Sequence, residues 1–486
     1  MEHTRLKSRR IKQGIKVKKN IITKSILLAI VLPFLFQCSP EVKFKDTHPG
    51  INEFIYETMK DVYLWNDKIP DVNYADYTTP EELYDALLYK ERDKWSYMYK
   101  IDNSLDLEYN EKYGFGLYLL SVKENNVWNI RIGYVNAGSP STDAGIKRGD
   151  TVLSIDGIML SGIADYDECM SNLEKAFNGK SKISLIYKDI SGTENTVVLN
   201  KEKFNSQRVF SDKIITSDDR RIGYFAYTEF AFAQEPYNQD NELNTYRYND
   251  LDTVFRTFSG ITDLVIDLRY NGGGVVDVSR HLASLIYNKE GEIFQKSYTN
   301  GRTTSILASA LFNSSFNYYF YKSDYYLTSL MPKYGTFTDY FDSEITPIGI
   351  KRVFFITTGG TASASESLIN SLKPYIDVQL VGTTTHGKCV GMMGFTYENY
   401  VFYPIMFRGY NSEGYGDFYD GFNVNSEVAD NMDYQLGDVN EPCLEEIINY
   451  IKVGEYTNKP STISTTKSQS VMPVPLSGFN RTIGMY

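Results

Sequence analysis

The stretch VFFITTGGTASASESLINSLK, residues 353–373, decides how this chain reads. A short apolar run ends in Gly359-Gly360, and a segment with helical spacing opens at Ser363-Ala364-Ser365-Glu366. A strand that turns through glycines into a helix sets Ser363 at the carboxyl end of a sheet and beside a helix N-terminus. There a hydroxyl is exposed and N–H groups favour an anion. The same S-x-x-E is also a capping box, so the motif has a purely local reading as well. A second apolar strand, residues 378–381, is followed by Gly382, three threonines, His386, Gly387 and Lys388. Adjacent βα units bring the ends of these two strands together, which sets a base beside Ser363.

Working outward, strands and helices alternate after about Lys203. Strands are expected at 222–227, 264–268, 353–356 and 378–381, and helices at 251–258, 276–287 and 365–373. Such alternation gives an α/β domain with a mainly parallel sheet, assigned to residues 204–455. Residues 107–203 carry short strands with Gly and Asp-Gly turns, a β-rich module. Residues 48–106 place Ile51, Phe54, Ile55, Met59 and Val62 at helical spacing and form a small helical N-terminal domain. The fold class is therefore multidomain α+β. The Ser-, Thr- and Pro-rich tail, 456–486, reads as flexible.

Composition removes several function classes. The net charge of -11 lacks the clustered positive face that nucleic acid needs. The four cysteines, Cys38, Cys169, Cys389 and Cys443, have no metal-ligand spacing and are too few for a disulfide framework. No metal and no cofactor is implied. Through Lys24 the N-terminus holds nine basic residues against Glu2, and residues 26–36 are apolar. A basic segment followed by an apolar run too short to span a bilayer reads as an export signal, residues 1–38. Its end, Leu35-Phe36-Gln37-Cys38-Ser39, resembles a bacterial lipoprotein lipobox, which implies a lipidated Cys38 and a membrane-anchored protein facing the periplasm or cell surface. Gln37 departs from the small residue usual there; ordinary secretion with a free Cys38 is the alternative.

Two further stretches, YGFGLYLL at 113–120 and GSPSTDAGIKRGDTVLSIDG at 138–157, resemble a PDZ domain. A glycine-rich loop can point successive N–H groups at a C-terminal carboxylate while the peptide adds to the sheet edge as a strand. Gly114, Phe115, Gly116 and Leu117 would line that site; otherwise these glycines merely turn the chain.

Ser363 in TASASES and Lys388 in THGKCVGMM stand 25 residues apart, downstream of the PDZ-like module. In this the chain resembles the C-terminal processing, or tail-specific, serine peptidases. The resemblance implies a ClpP/crotonase-like catalytic domain, an acyl-enzyme mechanism, Ser363 as nucleophile and Lys388 as general base. It matches Glu366 to a third catalytic carboxylate; other members use a Gln four residues after the Lys, where Met392 stands here. The segment Asp267-Leu268-Arg269-Tyr270-Asn271-Gly272-Gly273-Gly274 is similar to the family's D-L-R-x-N-x-G-G. It implies an oxyanion hole from the Gly273 or Gly274 amide together with that of Ala364, with Asp267 and Arg269 holding the loop. Expected partners are polypeptides with exposed C-termini, and the membrane through Cys38. Two rival readings stay open: a non-catalytic peptide or glycan binder on the same fold, to which the 40 tyrosines are suited, and a Ser-His hydrolase using His386.

Overall fold

The computed structural model describes residues 50–100, 111–234, 244–303, 336–457 and 471–473. The export segment and Cys38 lie outside the described residues. No helix among the described residues is long and apolar enough to cross a membrane.

The central sheet has six strands, in the order Val209–Ser217, Arg220–Tyr227, Asp263–Asp267, Arg352–Thr357, Asp377–Gly382, Ser426–Glu427. The first pair is antiparallel and all the others are parallel. Both faces are covered, which is why its strands read as continuous apolar runs. Phe225, Leu264, Ile266 and Phe355 enter one core; Tyr224, Val265, Phe354 and Ile356 enter another beneath the helix Pro442–Val453. The parallel order brings the carboxyl ends of Asp263–Asp267, Arg352–Thr357 and Asp377–Gly382 together.

The β-rich module has its own core, built from Leu117, Leu119, Ile130, Val152, Leu173 and Leu185. Its strand Leu117–Glu124 pairs with Val127–Val135 on one side. On the other side it pairs with Val471–Pro473. The expectation of a wholly flexible tail is thereby corrected: Tyr456 stacks on Tyr450, and a further piece of the tail has joined a sheet.

The helical N-terminal region is as expected, and the structure adds what buries it. The helices Ile51–Val62 and Pro80–Leu87 are present, the second with a Thr79–Glu82 capping box. They do not build a core of their own. Phe54, Ile55, Met59, Leu83 and Leu87 share one apolar cluster with Leu368, Phe395, Phe402 and Ile405. The strand Tyr97–Lys100 pairs with Tyr400–Tyr403, and Leu64 N–H donates to Ile405 O at 2.8 Å. Apolar spacing showed the helices but not the neighbour that buries them.

A buried ionic frame joins the β-rich module to the central sheet. Arg148, in the G-I-K-R-G-D turn, donates to Asp430 at 2.7 Å and to the Tyr270 hydroxyl. Arg269 donates to Asp267 at 2.9 Å, to Asp430 at 2.5 Å and to both Glu441 oxygens at 3.0 Å. Burial works against charge on Asp430, but Arg148 and Arg269 outweigh it and hold this carboxyl well below the usual range. Removing one partner from a buried pair leaves an uncompensated charge and costs about 3–5 kcal/mol. Asp430→Asn should therefore lose stability of that order in urea unfolding, whereas Val439→Ala, at an exposed position, should change little. A loss below about 1 kcal/mol, the scale of an exposed pair, would mean the frame is not what holds the two parts together.

Candidate active site

Ser363 is the N-cap of the helix Ala364–Leu372, whose nine residues are all buried. Its backbone has φ 61° and ψ −114°, a conformation that costs a non-glycine residue on the order of 1–3 kcal/mol. The surroundings hold it there. Ser363 N–H donates to Glu366 Oε2 at 2.9 Å, and Ala362 N–H donates to Asn271 O at 3.1 Å. Gly273 lies against it so closely that a Cβ at this position would come 2.7 Å from Ser363 Cβ, and its own φ of 106° admits no other residue easily. Ser363 Oγ leans over the first turn in capping-box fashion, yet it is buried and completes no hydrogen bond.

The loop after Asp377–Gly382 is stitched to this turn. Glu366 Oε1 accepts from Thr385 Oγ1 at 2.6 Å and from Gly387 N–H at 2.7 Å; Oε2 accepts from Lys388 N–H at 2.8 Å. His386 N–H donates to Thr361 O at 2.9 Å. Gly387 can take this path because it has φ 92°, and a Cβ there would meet Tyr419 O at 2.2 Å. Glu366 thus touches the backbone of both loops, although sequence reading offered it only as a cap or a third catalytic carboxylate. Burial pushes its carboxyl up to about 7, against the four hydrogen bonds that favour the ionised form.

Lys388 has no exposed surface. Cys389, Val390 and Met392 beside it belong to the apolar core, so Met392 supplies no polar group to the site. Burial brings the Lys388 amine down to about 7, with Asp93 and Glu366 partly opposing that shift. Asp93 was not singled out from sequence. It is buried, accepts from Tyr63 Oη at 2.7 Å, and is held by the Trp95 and Ser96 N–H groups at 3.0 and 2.9 Å.

His386 is differently placed: its ring is exposed, with Trp95 Nε1–H donating to Nε2 at 3.2 Å. An accepting Nε2 leaves the proton on Nδ1, which faces Gly359 O at 3.3 Å. Both nitrogens are therefore engaged away from Ser363.

The anion donors expected were the Gly273 or Gly274 amide together with that of Ala364, and one of the two glycine amides is already engaged. Gly273 N–H is taken by Asn271 Oδ1 at 2.9 Å, a side-chain contact that sequence could not reveal. The N–H groups of Gly274 and Ala364 donate to none of the described residues. In the β-rich module, Gly114 ends a strand paired to Glu202, Phe115 is buried, and Leu117 starts the next strand. The N–H groups of Phe115 and Gly116 donate to none of the described residues. Lys201, also missed from sequence, sets its ammonium 5.6 Å from the Phe115 ring centroid.

Three parts of the chain match known domains: residues 50–97 the Peptidase S41 N-terminal domain, 131–176 a PDZ domain, and 221–417 peptidase family S41. The chain belongs to peptidase family S41, whose serine-type peptidases include the C-terminal processing enzymes. It is 22% identical over 252 residues to the carboxy-terminal processing protease CtpA of Bacillus subtilis (strain 168). That match spans 52% of this chain and less than half, 42%, of the relative. A solved structure from Bacteroides fragilis NCTC 9343, described as an S41 protease, has a TM-score of 0.60 at 21% identity, covering 84% of this chain and 99% of that one. It shares the fold.

The depressed lysine has a stability consequence. Between pH 7 and its ordinary value of 10.5, the unfolded chain carries a proton on Lys388 that the folded chain lacks. Stability therefore rises with pH across that window, and the full cost of burying the amine applies below it. Lys388→Met should raise the melting temperature at pH 6, with the gain shrinking as the pH climbs towards 10. A gain that is absent at pH 6, or constant with pH, would contradict a buried amine of this kind.

Proposed function

We propose that this chain is a serine endopeptidase of the C-terminal processing type, working through a Ser363–Lys388 dyad. One observation carries the reading: a strained, buried serine hydroxyl without a hydrogen bond is stitched through Glu366 to the loop of a buried lysine that titrates near 7. A neutral Lys388 amine takes the Ser363 proton as Oγ attacks the scissile carbonyl. The oxygen of the tetrahedral intermediate is met by the Ala364 and Gly274 N–H groups. Lys388 then gives its proton to the leaving amine, and an acyl ester on Ser363 remains. Water, deprotonated by the same amine, hydrolyses that ester and restores the serine. Glu366 acts as a positioning residue that fixes the backbone on both sides of the dyad.

The PDZ domain takes the substrate's carboxyl end. The Phe115 and Gly116 N–H groups face the carboxylate, Lys201 adds positive charge, and the strand from Leu117 pairs with the peptide. The protein acts outside the cytoplasm, anchored through lipid on Cys38. Ser363 and Lys388 are fully buried, so a substrate must open the site to reach them.

Cleavage of casein or of a tailed peptide tests the dyad. Ser363→Ala and Lys388→Arg should each lose at least about a thousandfold in kcat/KM with folding retained, arginine because it stays charged. His386→Ala should keep most of the rate. A dead His386→Ala with an active Lys388→Arg would overturn the assignment.

The pH profile gives an independent check. The value of kcat/KM should rise with pH through about 7 to a plateau as Lys388 loses its proton. Because Asp93 raises the lysine pKa, Asp93→Asn should move that limb to lower pH. An unmoved limb would remove Asp93 from the electrostatics of the base.

A further inference from the structure

The strand Leu117–Glu124 is the one on which a PDZ domain receives its ligand, and in this chain it already has a partner on each side. Val127–Val135 pairs with one edge. Val471–Pro473 takes the other and ends the sheet. The pairing is antiparallel, with Val471 opposite Val122, Met472 opposite Ser121 and Pro473 opposite Leu120. Each step along the tail therefore moves one residue nearer the 114–117 turn. That is the polarity of a peptide whose C-terminal side approaches the carboxylate loop.

The composition of the tail agrees with such a role. Residues 471–476 read VMPVPL, an apolar stretch broken by prolines. Proline is tolerated in a sheet at an edge strand, where its missing N–H can face away from the ladder. A strand edge also has only one row of N–H and C=O groups, so two extended segments cannot occupy it together.

We propose that Val471–Pro473 is a built-in ligand of this PDZ edge, which a substrate peptide must displace before it can pair there. The competition rests on the peptide-binding role given above to the PDZ domain; the docking of the tail does not. Being tethered, the segment competes at an effective concentration that can reach the millimolar range. Free peptide then binds with an apparent affinity lowered by the fraction of molecules in which the edge is open.

The test uses two forms that both carry Ser363→Ala, so that no cleavage intervenes. One is the full chain. The other ends at Thr457, keeping the 2.8 Å hydrogen bond from Thr457 N–H to Glu446. A full-length Val471→Asp/Met472→Asp variant serves as a second disruption if truncation impairs folding. Hydrogen exchange should speed up at residues 117–124 in the truncated chain and in the double variant. A fluorescent peptide with a free apolar C-terminus should bind both about tenfold or more tighter than the intact chain. Unchanged exchange at 117–124 would overturn the docked tail, and equal measurable affinity in all forms would overturn the competition. Faster exchange with no peptide binding in any form would sink the peptide-recognition reading while leaving the tail as the strand's partner.

Discussion

Everything proposed for the site hangs on one carboxylate. Glu366 accepts four hydrogen bonds, one from the backbone of Ser363 and three from the loop 385–388. Two turns that leave different strands of a parallel sheet are thereby tied into one rigid piece. Without that tie the positive φ of Ser363 has less to hold it, and the lysine loop loses its register against the helix N-terminus. The cost is a buried acid near a buried amine, each displaced towards neutrality by the apolar surroundings. Those same surroundings give an amine near 7, which a lysine base requires.

Around this centre the chain contributes from three directions. The S41 N-terminal region brings Asp93 towards Lys388 and caps the exposed His386 with Trp95. The central sheet supplies the glycine loop, with Asn271 consuming one amide and leaving the next open. The PDZ domain enters through Arg148, which shares Asp430 with Arg269 a few residues before that loop. Tyr118 of the strand Leu117–Glu124 packs on Tyr270 at 5.5 Å between ring centroids. That strand and the glycine loop after Asp263–Asp267 are thus neighbours in one packed interface.

Much of this was legible in the sequence, for a physical reason. Strands of a sheet covered on both faces must be apolar throughout, so 353–356 and 378–381 announce themselves, and glycines mark where the chain turns at their ends. Ser363 and Lys388 are separated by one helix and one strand, Ala364–Leu372 and Asp377–Gly382, which return the chain to the same end of the sheet. Long-range polar contacts were illegible. Nothing near Glu366 in sequence says that its carboxylate gathers a loop some twenty residues on, and Asp93 and Trp95 lie almost three hundred residues before Lys388. The N-terminal helices showed an apolar stripe but not the sheet that covers it. The tail read as loose because it is broken by prolines, which are depleted in strands; an edge strand gains its order from the partner it pairs with.

The most direct test of the dyad is covalent labelling with a fluorophosphonate, mapped by mass spectrometry and followed in rate between about pH 5 and 9. The account predicts a single adduct on Ser363, forming faster as the pH passes about 7, and almost none in Lys388→Ala. Labelling of Ser363 at the same rate in Lys388→Ala, or a wild-type rate flat with pH, would contradict it.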